Sequence, residues 1–296
     1  MPPGRSFTDW SVTMTSAEVA LESGATLGEG PTWDAAGERL LWVDILAAEV
    51  HAFDPVTAAD TVLQPTSQHV GSAKPRTGGG LVANLRDGVG LYDPDGAFRW
   101  LAEYPAEGVR GNDAAVGPDG SLWAGTMRYD ERPGGGTLRR VRPDGETTAV
   151  LDGVTVSNGI GWSPDGRLMY YIDTPTGRID VFDVDPETSL PRARRPFADV
   201  PGPGKPDGMA VDADGRLWVA VWNGGRVLRY APDGRPDGEI ALPVALTTAC
   251  AFGGPGLRDL YITTAAVATP PGTAHAGALF VVPDAGQGLP TPAFPG

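Results

Sequence analysis

Four oxygen-bearing side chains stand at one fixed distance ahead of a turn glycine. Eight residues before Gly37, Gly120, Gly166 and Gly215 lie Glu29, Asn112, Asn158 and Asp207. Two are carboxylates and two are amides. Such oxygens, with no histidine or cysteine among them, are hard donors suited to Ca2+, Mg2+ or Mn2+. Two carboxylates brought together repel, and one takes up a proton unless a cation lies between them. Each residue alone is also an ordinary turn former, because Asn and Asp ahead of glycine initiate turns. Four in one register are read as a converging set. Arg110, two residues before Asn112, brings a guanidinium able to orient substrate oxygens beside that set. Standing alone, it would be only a solvated charge.

A shared register requires a repeated scaffold, and the chain has one. A small or apolar strand, a turn of Asp-Gly type and a second strand rich in Leu, Trp and Tyr recur along it. Clear copies end at Ile45, Met127, Thr174 and Tyr230, and weaker copies surround Gly79 and Gly256. The six turn glycines are 41 to 49 residues apart. Asp-Gly between apolar runs is a strong hairpin signal, because a primed turn needs positive φ. Repeats of this length, with further strands such as Gly225–Tyr230 and no helical periodicity, predict an all-β, six-bladed propeller with four-stranded blades. The register places the four residues just ahead of each blade's innermost strand, at one mouth of the central channel. In the weaker copies the same position holds Gly71 and Thr248. After the sixth hairpin only Gly277–Val282 remains as a good strand, so Glu18–Leu21 is expected to complete that blade and close the ring.

Bulk properties narrow the partners. A formal net charge of −14 disfavours nucleic acid, whose binding relies on Lys and Arg displacing counterions, and equally an anionic membrane surface. Cys250 is the sole cysteine, which rules out an intrachain disulfide and a thiolate metal cluster. Its apolar neighbours Ala249, Ala251 and Phe252 mark it as a core thiol. The N-terminal stretch has no apolar segment of signal-peptide type and no run reaches transmembrane length. The expectation is a cytoplasmic protein forming one domain over residues 1–296, with residues 1–16 a flexible segment.

Other motifs fail on their own chemistry. Asp183–Glu187 starts like a calcium loop, but Thr188 replaces its glycine and Arg194 its bidentate glutamate. Gly202–Lys205 has the look of a phosphate loop, yet Pro206 follows and no helix does. His51, His69 and His275 lie in distant parts of the blade scheme, which leaves a Ser-His-Asp triad unsupported.

The segments Leu27–Asp34, Arg110–Asp113, Pro118–Met127, Val156–Gly166, Tyr170–Thr174, Pro206–Ala220, Asn223–Tyr230 and Thr247–Thr263 together resemble the regucalcin/gluconolactonase family, which includes luciferin-regenerating enzymes. Order and spacing match over nearly the whole chain. The resemblance implies a six-bladed propeller and metal-dependent hydrolysis of a sugar lactone. It puts the metal ligands on Glu29, Asn158 and Asp207, and substrate contacts on Arg110 and Asn112. It implies one divalent ion, Ca2+ first, with Zn2+, Mn2+ or Mg2+ also compatible. A family glutamate three residues beyond the Gly-Thr-Met segment is here Asp130, followed by Glu131. Asp130 is the expected third substrate contact, with a shift to Glu131 the alternative, and either change alters the pocket wall.

The chemistry expected of the ion is polarisation of the lactone carbonyl and acidification of a water, with Asp207 as catalytic base. Two other readings are a calcium-dependent phosphotriesterase-like hydrolase and a non-catalytic metal-binding propeller. Arg110 and Asn112 favour an enzyme, because a plain calcium site needs neither.

Overall fold

The computed structural model describes residues 16–296. The expectation for residues 1–16 therefore falls almost wholly outside it. Among the described residues there is no α-helix, and no helix long and apolar enough to cross a membrane. The strands are β1 (Glu18–Leu21) followed by six groups, β2–β5 within residues 28–65, β6–β9 within 70–103, β10–β13 within 109–154, β14–β17 within 157–199, β18–β21 within 205–241 and β22–β24 within 247–282. Each of the first five groups is a four-stranded antiparallel sheet in sequence order. The sixth has the order β1-β24-β23-β22, with Val19 opposite Phe280. The expected six-bladed propeller is thus closed as anticipated by an N-terminal strand, which removes a free sheet edge.

Apolar packing lies between blades. Six buried clusters occupy the six interfaces of neighbouring sheets, for example Trp218 and Phe252 between the fifth and sixth, and Trp33 and Tyr261 between the sixth and first. The Trp218 and Phe252 rings meet edge to face at 5.5 Å, a geometry worth about 0.5–1.5 kcal/mol beyond burial. Trp42, Trp123 and Trp218 are all buried in strands, and Cys250 is a buried free thiol, as the sequence implied. The innermost strands share in that packing and also line the central channel, with polar side chains at one level of it.

Those strands are β2 (Gly28–Asp34), β6 (Val70–Pro75), β10 (Val109–Val116), β14 (Ser157–Trp162), β18 (Lys205–Val211) and β22 (Thr247–Gly253). In every one the pairing with the next strand slips at the same place: Glu29/Thr32, Val70/Ser72, Gly111/Ala114, Asn158/Ile160, Pro206/Met209 and Thr247/Ala249. Each slip is a β-bulge, one extra residue that re-aims a side chain. Glu29, Asn112, Asn158 and Asp207 thus sit inside the innermost strands at the bulges, where the turn count had put them just ahead of those strands.

The chain ends by crossing the opposite mouth. Asp212 bridges Gly288, Arg76 bridges Phe294, and the Arg76 Nε–H donates to Gly296 O at 2.6 Å. Phe294 is completely buried among Val82, Leu91, Val116 and Leu122, apolar residues of the second and third blades.

Candidate active site

The bulges converge as a ring on the channel axis. Glu29, Asn112, Asn158 and Asp207 are all buried, and so is Arg110. A chain of hydrogen bonds runs through them. Arg110 Nη1 donates to Asn112 Oδ1 at 2.7 Å and to Gly111 O at 2.9 Å. Asn112 Nδ2 donates to Asn158 Oδ1 and to Ser157 O, both at 2.9 Å. Asn158 Nδ2 donates to Thr174 Oγ1 at 2.8 Å, which fixes the amide with its oxygen facing the ring. Gly71 occupies the matching bulge of the second blade because a Cβ there would come within 2.3 Å of Asn112 O.

The two carboxylates stand differently. Glu29 Oε2 accepts the Gly30 N–H at 2.9 Å, whereas Asp207 Oδ1 is buried with no hydrogen-bond partner among the described residues. Burial first, and the Asp113 charge second, push the Glu29 carboxyl up to about 8, despite Gly30, Arg110 and Lys74. Burial, then the charges of Glu29 and Asp113, raise Asp207 well above the carboxylate range. An orphaned carboxylate oxygen and two buried acids that repel are the signature of a place for a cation. No three His, Cys, Asp or Glu side chains among the described residues form a ligand group. The set therefore needs the Asn158 amide as its third donor, and with it the residues fit one hard divalent ion.

The mouth above the ring carries Arg110, whose guanidinium carbon lies 6.0 Å from the centre of the Tyr129 ring. Tyr129 Oη is 2.7 Å from His69 Nδ1. Burial, followed by the Arg110 and Arg86 charges, lowers the His69 pKa. Asp130 lies at this rim with its carboxylate engaged by Arg128 at 2.7 Å and Arg132 at 3.3 Å. Glu131 is close enough for its charge to act on Arg110. The structure thus brings Glu29, Asn112, Asn158, Asp207 and Arg110 together and leaves Asp130 outside that group. Tyr129 and His69 are mouth residues that carried no repeat signal, since they come from loops without common register; Thr174, the last residue of a clear repeat copy, supports the Asn158 amide.

The SMP-30/Gluconolactonase/LRE-like region profile matches residues 27–266, a span that holds every residue of this site. The chain belongs to that family. Among its SMP-30/gluconolactonase-like relatives is the 6-deoxy-6-sulfogluconolactonase of Pseudomonas putida, 41% identical over 246 residues, covering 81% of this chain and 84% of the relative. The pentonolactonase XacC of Haloferax volcanii is 38% identical over 253 residues, 85% of this chain and 86% of the relative. The solved regucalcin of Agrobacterium tumefaciens, described as a calcium-binding protein, superposes with a TM-score of 0.90 at 30% identity, covering 95% and 98% of the two chains.

Proposed function

We propose that this protein is a divalent-metal-dependent lactonase that opens a sugar lactone to its sugar acid. The observation that carries the reading is the buried Asp207 carboxylate with an unpartnered oxygen, within electrostatic reach of Glu29 and Arg110. Two relatives at about 40% identity being lactonases on sugar-derived rings supports it.

Glu29, Asn158 and Asp207 would hold the ion. When bound, it supplies Lewis-acid polarisation of the lactone carbonyl and a lowered water pKa. The protein's own groups do the rest. Among the described residues Arg110 has only Nη1 committed to hydrogen bonds, which leaves its other N–H groups for substrate oxygens. Asn112, locked between Arg110 and Asn158, fixes where those oxygens sit. Asp207 accepts a proton as water forms its bond to the carbonyl carbon, then returns it to the ring oxygen as the carbon–oxygen bond breaks. The products are a carboxylic acid and a hydroxyl, and no other reactant is needed. Asp130 is the proposed outermost contact; to reach substrate it must give up its pairing with Arg128 and Arg132. Ca2+ is the proposed ion, in keeping with the regucalcin neighbour.

The test is acid release from a panel of aldonolactones by chelator-treated protein with single divalent ions restored. Hydrolysis above the spontaneous rate, present only with metal, is expected. Inactivity toward every lactone with every ion would overturn the assignment and leave ion binding or phosphotriester hydrolysis to be tried.

A further inference from the structure

Beyond the ring, the same channel widens into a second chamber of about 440 Å3 on the face crossed by the C-terminal tail. None of Glu29, Arg110, Asn112, Asn158 and Asp207 lines it. Its origin can be read along the strands. Three residues past each bulge position stand Thr32, Lys74, Ala115, Gly161, Ala210 and Ala251. Five of the six are short or lack a side chain, so the channel stays open where close packing would otherwise fill it.

The sixth is a lysine. Lys74 is 6% exposed and its Nζ donates to Thr32 Oγ1 at 2.6 Å. The charges of Asp113 and Glu29 reach it, but neither carboxylate forms an ion pair with it among the described residues, so two of its three donors lack a protein acceptor. A buried ammonium with two free donors has room for a further oxygen acceptor in contact with it. Asp113, half-buried on the chamber wall, accepts the Ala114 N–H at 2.8 Å through one oxygen. Its other oxygen makes no hydrogen bond among the described residues. The remaining wall is mainly apolar, from Ile160, Met209, Val211 and Phe252 to Leu289 of the tail, with Ser163, Asp165 and Thr291 as its polar members.

We propose that this chamber is a second ligand site, for a small monocarboxylate with an apolar body and a hydroxyl or ammonium beside its carboxylate. Lys74 and the Thr32 hydroxyl take the carboxylate. Asp113 accepts the neighbouring donor and repels a second anionic group. The apolar wall favours a hydrocarbon chain over a polyol, so the chamber's ligand differs in class from a sugar lactone. A volume of about 440 Å3 is within the range of small-molecule pockets.

Titration calorimetry on the full chain with leucine, 2-hydroxy-4-methylpentanoate, 4-methylpentanoate and gluconate tests this. Leucine or the hydroxy acid should bind, and the tighter of the two identifies the donor that meets Asp113. 4-Methylpentanoate should be about tenfold weaker for want of that donor, and gluconate should not bind there. Lys74→Met should weaken binding by about tenfold or more. Ala210→Leu should abolish it by filling the chamber, which guards against a Lys74 variant that fails to fold. Binding should survive Asp207→Ala. The proposal is overturned if no acid binds, if both chamber variants bind as the parent does, or if Asp207→Ala removes binding.

Discussion

The ring and the chamber are built from the same six strands, three residues apart, and have opposite characters. At the ring, the bulges carry Glu29, Asn112, Asn158 and Asp207. One step on, the same blades hold Thr32, Ala115, Gly161 and Ala210. The ring concentrates carboxylates and answers them from its mouth with Arg110, while the chamber is mostly apolar with Lys74 set beside Asp113. The contrast shows what the bulge accomplishes. A regular strand alternates faces, but an extra residue at a fixed height turns one side chain per blade onto the axis and leaves its successors to set the channel's width.

The largest effect expected from disturbing this division is at Asp207. Asp207→Ala should cost about a thousandfold or more in kcat/KM, since several kcal/mol of transition-state stabilisation depend on the ion it helps hold. Lactone hydrolysis at saturating metal measures it. Next comes Gly71→Ala, which touches no ligand. Its new Cβ would press on the Asn112 backbone at 2.3–2.7 Å. The variant should lose about 1–3 kcal/mol of stability in denaturant unfolding. Displacing Asn112 should also slow hydrolysis by about 10- to 100-fold. A Gly71→Ala protein of full activity would show that the ring tolerates movement.

How much of this was legible follows from what repeats. The distance from turn glycine to bulge is the same in every blade, so eight residues of spacing found Glu29, Asn112, Asn158 and Asp207 without coordinates. The bulge itself was hidden, because the innermost strands are buried nearly throughout and carry no alternation for an extra residue to break. A trace was present in Gly30, Gly159 and Gly208, the residues that follow three of the four. Gly208 is needed because a Cβ there would lie 2.4 Å from that of Ala249 in the next blade. Tyr129 and His69 were not legible, since each enters from a loop peculiar to its blade, and Thr174 stood at a repeat's end with nothing in its type to mark a support for Asn158. Phe294 was hidden for a different reason: a proline-rich end reads as loop, yet its aromatic ring fills a gap between two blades.

A smaller effect separates ring from chamber by pH. In ion-free protein, burial and the Asp113 charge hold Glu29 up to about 8 against an ordinary 4.5. Across that window the folded chain keeps a proton that the unfolded chain has released, so stability falls as pH rises through it. Melting temperature of chelator-treated protein should therefore decline from about pH 5 to about pH 8, and a divalent cation should flatten the slope. A flat profile without metal would mean the ring carboxyls are not strained. The smallest effect belongs to Asp113, a neighbour of the ring that faces the chamber. Asp113→Asn should weaken cation binding by less than about tenfold, through lost attraction alone; a larger loss would make it a ligand and merge the two regions.

Calorimetric titration of Ca2+ into chelator-treated protein, parent beside Asp207→Asn, tests the central claim most directly. One ion per chain in the parent, with binding lost or greatly weakened in the variant, is the predicted result. Absence of binding in the parent, or equal affinity in both, would contradict a metal centre at the bulge ring.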